Sequence, residues 1–530
     1  MQAKYISYQQ TNSFSPIVLD YIQGNETLKP FYKYPTNLSG FASAIKERPV
    51  LANRQVLVDV LKKQYANIQS SVLVRSNIEL LADEKTFTIT TGHQLNLFTG
   101  PLYFIYKIVT TINLAKELKA AHPKYNFIPV YWMATEDHDF EEINHIKLED
   151  KKLVWETNAA GATGKISTAD LMDVLSAYQG YLGIGESGAE LAAIIEAAYQ
   201  QHDNLADATR ALVDALFRET GLVCIDADEA ALKQQFASII KQDILEQHSF
   251  AQIEKSNAAL EEAGYKPQVN PREINFFYMT EGFRERIVFE NGSYQALNSD
   301  IKFTAAALAA EIDAHPERFS PNVVMRPMYQ EIILPNLAYI GGGAEVTYWL
   351  QLKANFDFYK VPYPVLLLRN SALVIDKRSE RKMQILGIGH VSLFKDNEQL
   401  KTEWVKSHVN TYLSLADEER AIGAVFDHIK LNAYKIDKTL SQSADAAKKR
   451  ALKLIESLDK KMMRAEKRKH QTSLNQIDGL KNKLFPSGVL QERVLNIAPL
   501  YVMYGDEFIQ ALLDSFKPLD HKFTVLFAAS

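Results

Sequence analysis

Apolar runs of strand length alternate with longer segments of helical spacing in two parts of the chain. In residues 85–135, strand-forming residues come first, and apolar side chains then recur three and four apart from Leu102 to about Leu118. A near-continuous apolar run follows and ends at Thr135. This order predicts strand, helix and strand. Because a crossover of this length joins parallel strands, we expect a right-handed βαβ unit.

A second unit of the same kind begins near residue 336, roughly 200 residues further along. The run "LAYI" is followed by three glycines, a helical pattern in "VTYWLQLKANFDFY" and the apolar run "YPVLLLRN". Two such units predict an α/β fold with one doubly wound parallel sheet interrupted by insertions. We interpret residues 151–285, which are rich in alanine, as a mainly helical connecting insertion. The Asn-Gly pair in "FRERIVFENGSYQAL" predicts a β-hairpin.

The C-terminal part has a different pattern. From Ala424 to Asp478 there is neither glycine nor proline, and charged residues are dense. Apolar residues or alanines recur there in steps of three and four: Ile429, Ala433, Ile436, Leu440, Ala444, Ala447, Ala451, Leu454, Leu458, Met462 and Ala465. This spacing predicts a coiled-coil seam, either folded as a hairpin near "SQSAD" or paired with another subunit. We therefore divide the chain into a core, 1–372, and a helical coiled-coil dimerisation domain, 373–530.

Composition narrows the classes of function. The net charge of −5 over 530 residues gives no signature for binding nucleic acid or an anionic membrane. The basic stretch 460–470 continues the helical seam without aromatic residues, so we interpret it as a solvated face. No apolar run is long enough to cross a bilayer, and the N-terminus lacks the apolar part of a secretory signal. The single cysteine, Cys224, lies in an apolar run that predicts a buried strand and suits a reducing cytoplasm.

A first polar cluster follows the first predicted strand. It comprises Gly92, His93, Gln94, Thr99 and Gly100. Pro101 then fits the first position of the predicted helix. The amides and the dipole of a helix start favour an anion, and His93 could neutralise charge on a phosphate. The alternative is a histidine that only forms hydrogen bonds within the turn.

A second cluster, "TEDHDFEEINH" at 135–145, follows the next strand. Carboxylates flank an imidazole at Asp137, His138 and Asp139, a combination that can serve as a general base for an amine or bind a divalent ion. The spacing matches no strong zinc signature, so the sequence does not firmly imply a metal. A solvated acidic turn is the alternative, and it accounts best for Glu141 and Glu142.

The third cluster lies at the second βαβ unit. It comprises Gly341, Gly342, Gly343 and Glu345, preceded by Asn322, Arg326 and Gln330 at spacings of four. Three glycines can present their amides to a ligand, although they match neither the dinucleotide fingerprint nor a P-loop, and a plain tight turn is the alternative. At spacings of four, Asn322, Arg326 and Gln330 would share one face of a helix. Arg326 there suits the binding of a carboxylate or a phosphate, and a surface ion pair is the alternative.

Four long motifs in this order resemble the bacillithiol biosynthesis cysteine-adding (BshC) family. They are "TTGHQLNLFTGPLYFIYK", "PVYWMATEDHDFEEINH", "SPNVVMRPMYQEIILPNLAYIGGGAEVTYWLQL" and "LFPSGVLQERVLN". The resemblance implies a Rossmann-like core with connecting insertions and a coiled coil that forms a homodimer. It also implies a ligase that joins L-cysteine to the amine of glucosaminyl-malate, with ATP or ADP as the nucleotide. His93 would take the place of a phosphate-contacting histidine of class I synthetases.

Amide formation from a free carboxylate is uphill in water, so we expect an activated acyl group, an acyl phosphate or an adenylate. The amine must be neutral to attack, which requires a base from the cluster of Asp137, His138 and Asp139. Arg326 would hold the carboxylates of the malate group. The alternatives are a metal-dependent hydrolase built on the acidic cluster and a non-catalytic, nucleotide-binding scaffold.

Overall fold

The structure, a computed structural model, describes residues 1–49, 51–148, 151–409 and 414–528. The strands are β1 (Gln2–Ser7), β2 (Thr86–His93), β3 (Asn126–Met133), β4 (His145–Leu148), β5 (Lys151–Val154), β6 (Val223–Asp226), β7 (Phe276–Thr280), β8 (Phe283–Glu290), β9 (Ser293–Ala296), β10 (Lys302–Phe303), β11 (Phe319–Pro321), β12 (Asn336–Gly341), β13 (Val365–Leu368), β14 (Ala372–Ile375) and β15 (Lys522–Phe527). Residues 410–413 and 529–530 of the predicted helical domain lie outside the described residues.

The α-helices are α1 (Pro16–Ile22), α2 (Leu38–Glu47), α3 (Arg54–Gln64), α4 (Val72–Leu80), α5 (Tyr103–Ala121), α6 (Phe140–Ile143), α7 (Met172–Leu182), α8 (Glu186–Gln200), α9 (Leu205–Phe217), α10 (Ala230–Lys233), α11 (Ala237–Glu246), α12 (His248–Glu262), α13 (Ala305–Ala314), α14 (Arg326–Ile333), α15 (Gly343–Tyr359), α16 (Lys377–Leu386), α17 (Asn397–His408), α18 (Ala416–Ile436), α19 (Leu440–Lys469), α20 (Gln471–Leu484), α21 (Ala498–Tyr504) and α22 (Glu507–Ser515). Within the described parts of the chain, none is both long and apolar enough to cross a membrane.

Five parallel strands form the central sheet in the order β13-β12-β2-β3-β6. The chain moves outwards from β2 through β3 to β6, and then returns to the other side of β2 at β12. This doubly wound, Rossmann-like topology confirms the predicted α/β fold. Its order reverses between β2 and β12, and in open α/β sheets ligands bind beyond the strand ends at such a switch point.

The first predicted βαβ unit is confirmed as β2, α5 and β3. The threonine- and isoleucine-rich strand β2 is buried along almost its whole length, as a central parallel strand must be. The helix, however, begins at Tyr103 and not at Pro101. Pro101 forms a β-bridge with Asn496, and the Leu102 amide donates to the Leu495 carbonyl at 2.8 Å. The prediction that Pro101 opens the helix is therefore wrong by two residues.

The second unit, β12, α15 and β13, and the hairpin β8–β9 are also confirmed. Asn291 and Gly292 join the hairpin strands with φ values of 51° and 78°. Positive φ at both central residues is the geometry that matches the twist of a two-residue hairpin, which explains the Asn-Gly pair.

The segment predicted as a helical insertion contains helices α7 to α12, but it also supplies β6 to the central sheet. The four residues of β6 pair in parallel with β3, so the chain returns to the sheet in the middle of the segment. Cys224 lies in this strand and is buried, and burial raises the pKa of its thiol to about 12. The thiol is thus protonated and packed, as the sequence predicts for a core residue.

A separate sheet, ordered β1-β15-β14, joins the two ends of the chain. Strand β1 pairs antiparallel with β15, and β14 pairs in parallel with it. Because β1 precedes the predicted boundary at 372 and β15 follows it, the two predicted units share this sheet.

The coiled coil is an antiparallel hairpin of α18 and α19. Ion pairs link the two helices at Lys448–Asp427 (2.6 Å) and Lys430–Asp445 (2.7 Å), and these pairs fix the antiparallel register. The turn lies at residues 437–439, just before "SQSAD", so the seam is divided between two helices. The predicted hairpin is confirmed.

Candidate functional site

A cavity of about 690 Å³ lies at the switch point of the central sheet. The ends of β2, β3 and β12 and the first turns of α5 and α15 form its floor. The wall opposite comprises the segment just after β3, with Asp137 and His138, and the β7–β8 hairpin, and residues 321–323 before α14 complete the lining. The cavity therefore brings together parts of all three polar clusters predicted from the sequence. Each cluster follows a strand that ends at this edge of the central sheet.

His93 closes β2 and lines the cavity. Its ring lies 5.1 Å from that of Phe104 and 5.3 Å from that of Tyr103, and its buried Nε2 has no hydrogen-bond partner among the described residues. Burial, followed by the positive charges of Lys107 and Arg369, lowers the pKa of His93 well below its ordinary value. The ring is therefore neutral at pH 7. It can donate or accept a hydrogen bond, but it does not supply the positive charge that we expected from the sequence.

Lys107 carries positive charge into the floor of the cavity. This lysine on α5 is almost fully buried, and its Nζ donates to the Gly92 carbonyl at 2.7 Å. Nζ also pairs with Glu345 at 2.5 Å, which neutralises the ammonium. Glu345 in turn accepts from the Gly342 amide at 2.8 Å and from the Tyr339 hydroxyl at 2.6 Å. Glu345 thus joins three structural elements and is fully engaged.

Arg326 lines the cavity and has no carboxylate within ion-pair distance among the described residues. It begins α14, and its guanidinium lies 5.6 Å from the rings of both Trp132 and Tyr339. Nη1 donates to the Gln330 amide oxygen at 3.0 Å, whereas Nη2 is buried without a partner among the described residues. A buried cation is costly unless an anion or several hydrogen bonds compensate it. An anionic ligand in the cavity would supply that compensation.

The wall opposite carries Asp137, His138 and Arg284. Arg284 donates from Nη1 to His138 Nδ1 at 2.7 Å and from Nε to Ser320 at 3.1 Å. Since an arginine can only donate, His138 Nδ1 accepts, and the proton of its neutral ring lies on Nε2. The guanidinium also lies 3.8 Å from the centre of the Phe277 ring.

Asp137 accepts a hydrogen bond from Gln94 at 2.7 Å and one from the His138 amide at 2.8 Å. Burial would raise its pKa, but hydrogen bonds from His138 and Gln94 and the charge of Arg284 hold the pKa well below its ordinary value. Asp137 is therefore ionised throughout the neutral range and is a weak base. Gln94 also donates to Glu142 at 2.9 Å, so Glu142 reaches the cavity and is more than part of a solvated turn.

The rest of the acidic cluster has structural roles. Asp139 is exposed and accepts from the Glu142 amide at 3.3 Å, so it caps α6. Glu136 lines the cavity but is paired with the buried Lys233. No three acids, histidines or cysteines in the described ranges are grouped to hold a metal ion. The geometry therefore gives no support to the hydrolase alternative.

Several predicted residues lie outside the cavity lining. They are Thr99, Gly100, Gln330, Gly341, Gly342 and Gly343. Gly100 has a φ of 61°, and a Cβ there would lie 2.5 Å from the Asn96 Cβ, so this glycine is required by the loop itself. Asn496 holds the same loop by donating to the Gly100 and Phe98 carbonyls, both at 2.8 Å.

The glycine triplet allows α15 to pack closely on β12. A Cβ at Gly341 would lie 3.0 Å from that of Glu345, and the Gly342 amide is already bonded to the Glu345 carboxylate. The triplet is therefore a tight turn rather than an open set of amides. Asn322 does line the cavity, but it precedes α14 and does not share a helix face with Arg326, because its side chain accepts from the Val324 amide at 2.9 Å.

Sequence reasoning missed Lys107 and Arg284. Lys107 is the one charged residue in the apolar stretch from Leu102 to Ala115, and a single lysine in a segment that is apolar on all sides is a signal of a buried cation. Arg284 lies in a predicted hairpin far along the chain from the acidic cluster, and no local pattern connects the two.

Comparison with known proteins finds relatives along the whole chain. Two family models match the chain: "Bacillithiol biosynthesis BshC, N-terminal Rossmann-like domain" over residues 1–370, and "Bacillithiol biosynthesis BshC, C-terminal coiled-coil domain" over 372–528. A protein of Flavobacterium psychrophilum named "Putative cysteine ligase BshC" is 45% identical over 99% of both chains. Proteins of the same name are 43% identical in Flavobacterium johnsoniae, over 99% of this chain and 100% of the relative, and 28% identical in Bacillus cytotoxicus, over 93% and 94%.

Proposed function

The chain belongs to the BshC family of bacillithiol biosynthesis, and from this premise we propose that it is a ligase joining the carboxyl group of L-cysteine to the amine of glucosaminyl-malate. The proposal places the reaction in the switch-point cavity, where Arg326, Asp137 and His93 meet. ATP would supply the energy by activating the cysteine carboxylate, because direct condensation in water is unfavourable. The single, buried cysteine suits a reducing compartment, and we place the protein in the cytoplasm.

The observation that carries the proposal is the buried Arg326 guanidinium, whose Nη2 has no hydrogen-bond partner among the described residues. A malate group brings two carboxylates, and a carboxylate accepts the paired hydrogen bonds that a guanidinium presents. The free Nη2 is available for this contact without breaking the bond from Nη1 to Gln330. The aromatic rings of Trp132 and Tyr339 on either side exclude water and strengthen the electrostatic attraction.

The opposite wall suits the amine. The ionised carboxylate of Asp137 would hold the substrate ammonium and orient it, whereas its low pKa makes it a poor acceptor of the proton. Proton removal would then fall to His138, once Arg284 releases Nδ1 on substrate binding. The gap between Arg326 and Asp137 would thus be spanned by one substrate that carries carboxylates at one end and an amine at the other.

Residues at the end of β2 also fit the phosphate groups of a nucleotide. His93 presents a buried ring nitrogen without a partner, and Gly92 beside it leaves room for a ligand, because a Cβ there would lie 3.3 Å from the Tyr339 hydroxyl and 3.6 Å from Arg326 Nη1. When bound, ATP supplies the activation of the acyl group. His93 would donate a hydrogen bond to a phosphate oxygen as a neutral donor.

Thermal stability in the presence of L-malate tests the binding step of the proposal. Malate should raise the melting temperature of the wild-type protein, because a ligand that binds only the folded state stabilises it. It should have no effect on Arg326→Gln. Succinate has the same two carboxylates but lacks the hydroxyl group, so the difference between its effect and that of malate measures the contribution of the hydroxyl. Equal stabilisation of both proteins would move the carboxylate site away from Arg326.

Substitutions in the opposite wall should separate amine binding from proton transfer. We expect Asp137→Asn to raise KM for glucosaminyl-malate about tenfold, since it removes the charge that holds the ammonium. His138→Ala should instead lower kcat by about 100-fold, as expected for a base. Glu141→Gln, in the exposed turn outside the cavity, is the matched control and should change neither constant. Equal effects of all three substitutions would indicate a diffuse electrostatic role.

The helical hairpin of α18 and α19 leads us to propose a homodimer. Its outer face exposes Leu454 by 72%, Leu458 by 50% and Ile436 by 82%. Full burial of each such side chain is worth roughly 1.5–3 kcal/mol, and a second hairpin would provide it. Replacing Leu454 and Leu458 with aspartate should therefore yield a monomer of unchanged fold, since the exposed leucines do little within one chain.

Light scattering at micromolar concentration measures this assembly. The wild-type protein should show twice the mass of the 59.9 kDa chain, and the double variant should show the mass of one chain. The control with the same change in net charge is Lys460→Gln with Lys461→Gln, on the flank of the seam, which should keep the dimer. A wild-type mass near that of one chain would contradict the proposal.

A further inference from the structure

A second polar cavity, of about 410 Å³, lies at the same edge of the central sheet beside β6. Adjacent residues of one segment divide between the two cavities: Ala134 and Glu136 line the first, and Thr135 lines the second. The end of β6, the helices α3 and α9, and residues 164–165 complete the lining. None of the residues assigned to the proposed reaction lines this second cavity.

Most charges in the second cavity are paired with one another. Lys165 pairs with Asp228 at 2.8 Å, Arg210 with Asp207 at 2.5 Å, and Lys63 with Glu229 at 3.1 Å. Asp226, the last residue of β6, has no ion-pair partner among the described residues. It accepts only from the Thr135 hydroxyl at 2.5 Å and from the Asp228 amide at 2.9 Å. The carboxylate of Asp226 is therefore left over when the three ion pairs are counted, and the cavity has one carboxylate in excess.

Two buried polar atoms of the lining have no hydrogen-bond partner among the described residues. One is Oδ1 of Asp228, whose side chain is 4% exposed, and the other is Nε of Arg210, whose side chain is 2% exposed. An unsatisfied buried acceptor or donor is costly, so such groups are usually bonded to a ligand or to water. The cavity thus offers a free acceptor beside an excess carboxylate, and a free donor on another wall.

The fold holds these groups in place. The side chain of Gln64 on α3 donates to the Asp226 carbonyl at 2.7 Å and accepts from the Asp226 amide at 3.1 Å. Burial, together with the charge of the neighbouring Asp228, raises the pKa of Asp226 to about 6. The two carboxylates are therefore held close together at a cost, and a cation between them would remove that cost.

We propose that this cavity binds a small polar molecule that carries a primary ammonium group next to an oxygen acceptor, as in an amino alcohol or an amino acid. The ammonium lies between Asp226 and Oδ1 of Asp228, where it donates to both, and the oxygen accepts from Nε of Arg210. The carboxylate in excess selects a cation over an anion. The unpartnered Nε of Arg210 in the same lining selects a ligand that also carries an oxygen acceptor. This assignment goes beyond the proposed ligase reaction and does not depend on it.

Calorimetric titration of the full chain tests the site. The probes are ethanolamine for the amino alcohols and glycine for the amino acids, with ethylene glycol and acetate as matched probes that lack the amine. At least one amine should bind, and neither amine-free probe should. Binding of ethanolamine would identify the ligand as an amino alcohol, and binding of glycine would identify it as an amino acid. The absence of binding by both amines, or equal binding by the amine-free probes, would overturn the proposal.

Variants locate the binding. Asp228→Asn and Asp226→Asn, which preserve shape, should each weaken the amine about tenfold or more, since each removes a charged hydrogen bond. Glu229→Gln is the control in the same lining, because its carboxylate is already paired with the exposed Lys63, and it should change affinity less than about twofold. Arg326→Gln, in the first cavity, should bind the amine as the wild type does. If Mg²⁺ binds with the same dependence on Asp228 while the amines do not, the cavity belongs to a metal ion and the proposal fails.

Discussion

Arg326→Gln is expected to reduce kcat/KM for glucosaminyl-malate by about 100-fold or more, with most of the loss in KM. The guanidinium is buried beside two aromatic rings and has no carboxylate partner, so a substrate carboxylate gains a charged hydrogen bond in a site of low dielectric. Glutamine keeps a polar side chain but removes the charge. Steady-state kinetics with varied glucosaminyl-malate measure the effect.

Stability separates this explanation from a general loss of structure. Because Arg326 has no ion-pair partner among the described residues, its removal leaves no buried carboxylate unpaired, and the melting temperature of the free protein should change little. Arg318→Gln, at an exposed arginine that is paired with Glu311, is the control and should alter neither kinetics nor melting. If Arg326→Gln retained near wild-type KM, Arg326 would be a structural residue.

His93→Ala is expected to lower kcat by about 100-fold while KM for glucosaminyl-malate changes little. The ring contacts Tyr103 and Phe104, and its Nε2 has no partner among the described residues, so the only contact that it can still gain is with a ligand. Since the neutral ring acts as a hydrogen-bond donor, His93→Gln should recover part of the rate. A base or a charged group could not be replaced in this way.

His145→Ala provides the control for His93. This histidine begins β4, lies outside the cavity and bonds to its neighbour Asn144 at 3.1 Å. It should leave kcat unchanged. Circular dichroism should show both alanine variants folded, because neither removes a strand or a helix. Turnover near the wild-type rate in His93→Ala would remove this residue from the mechanism.

The sequence predicts the sheet well because the two βαβ units have strong local patterns. The threonine-rich run of β2 and the apolar runs of β3 and β13 are typical of buried strands, and the helical patterns between them predict parallel pairing. In contrast, the apolar run around Cys224 predicts β6 as a buried strand, but its four residues lie inside a mainly helical stretch, and the sequence does not predict that β6 joins the central sheet. Its place in the sheet depends on pairing with β3, which is a tertiary contact that no local pattern encodes.

The candidate site is predicted only where a residue follows a strand directly. His93, Asp137 and His138 satisfy that condition and line the cavity, and Arg326 reaches it from the start of a helix. The glycines at 341–343 have the same location in the sequence, but Glu345 folds back and occupies the Gly342 amide. Arg284 arrives from a distant hairpin. Distinguishing a group that binds a ligand from one already bonded within the protein requires the tertiary contacts.

Ligase activity is measured by incubating the protein with L-cysteine, glucosaminyl-malate and ATP and analysing the products by mass spectrometry. We expect a thiol whose mass is the sum of the two substrates less one water, formed by the wild-type protein, absent when ATP is omitted and strongly reduced in Arg326→Gln. The absence of this product from folded wild-type protein that binds glucosaminyl-malate, or its formation at an equal rate by Arg326→Gln, would contradict the account.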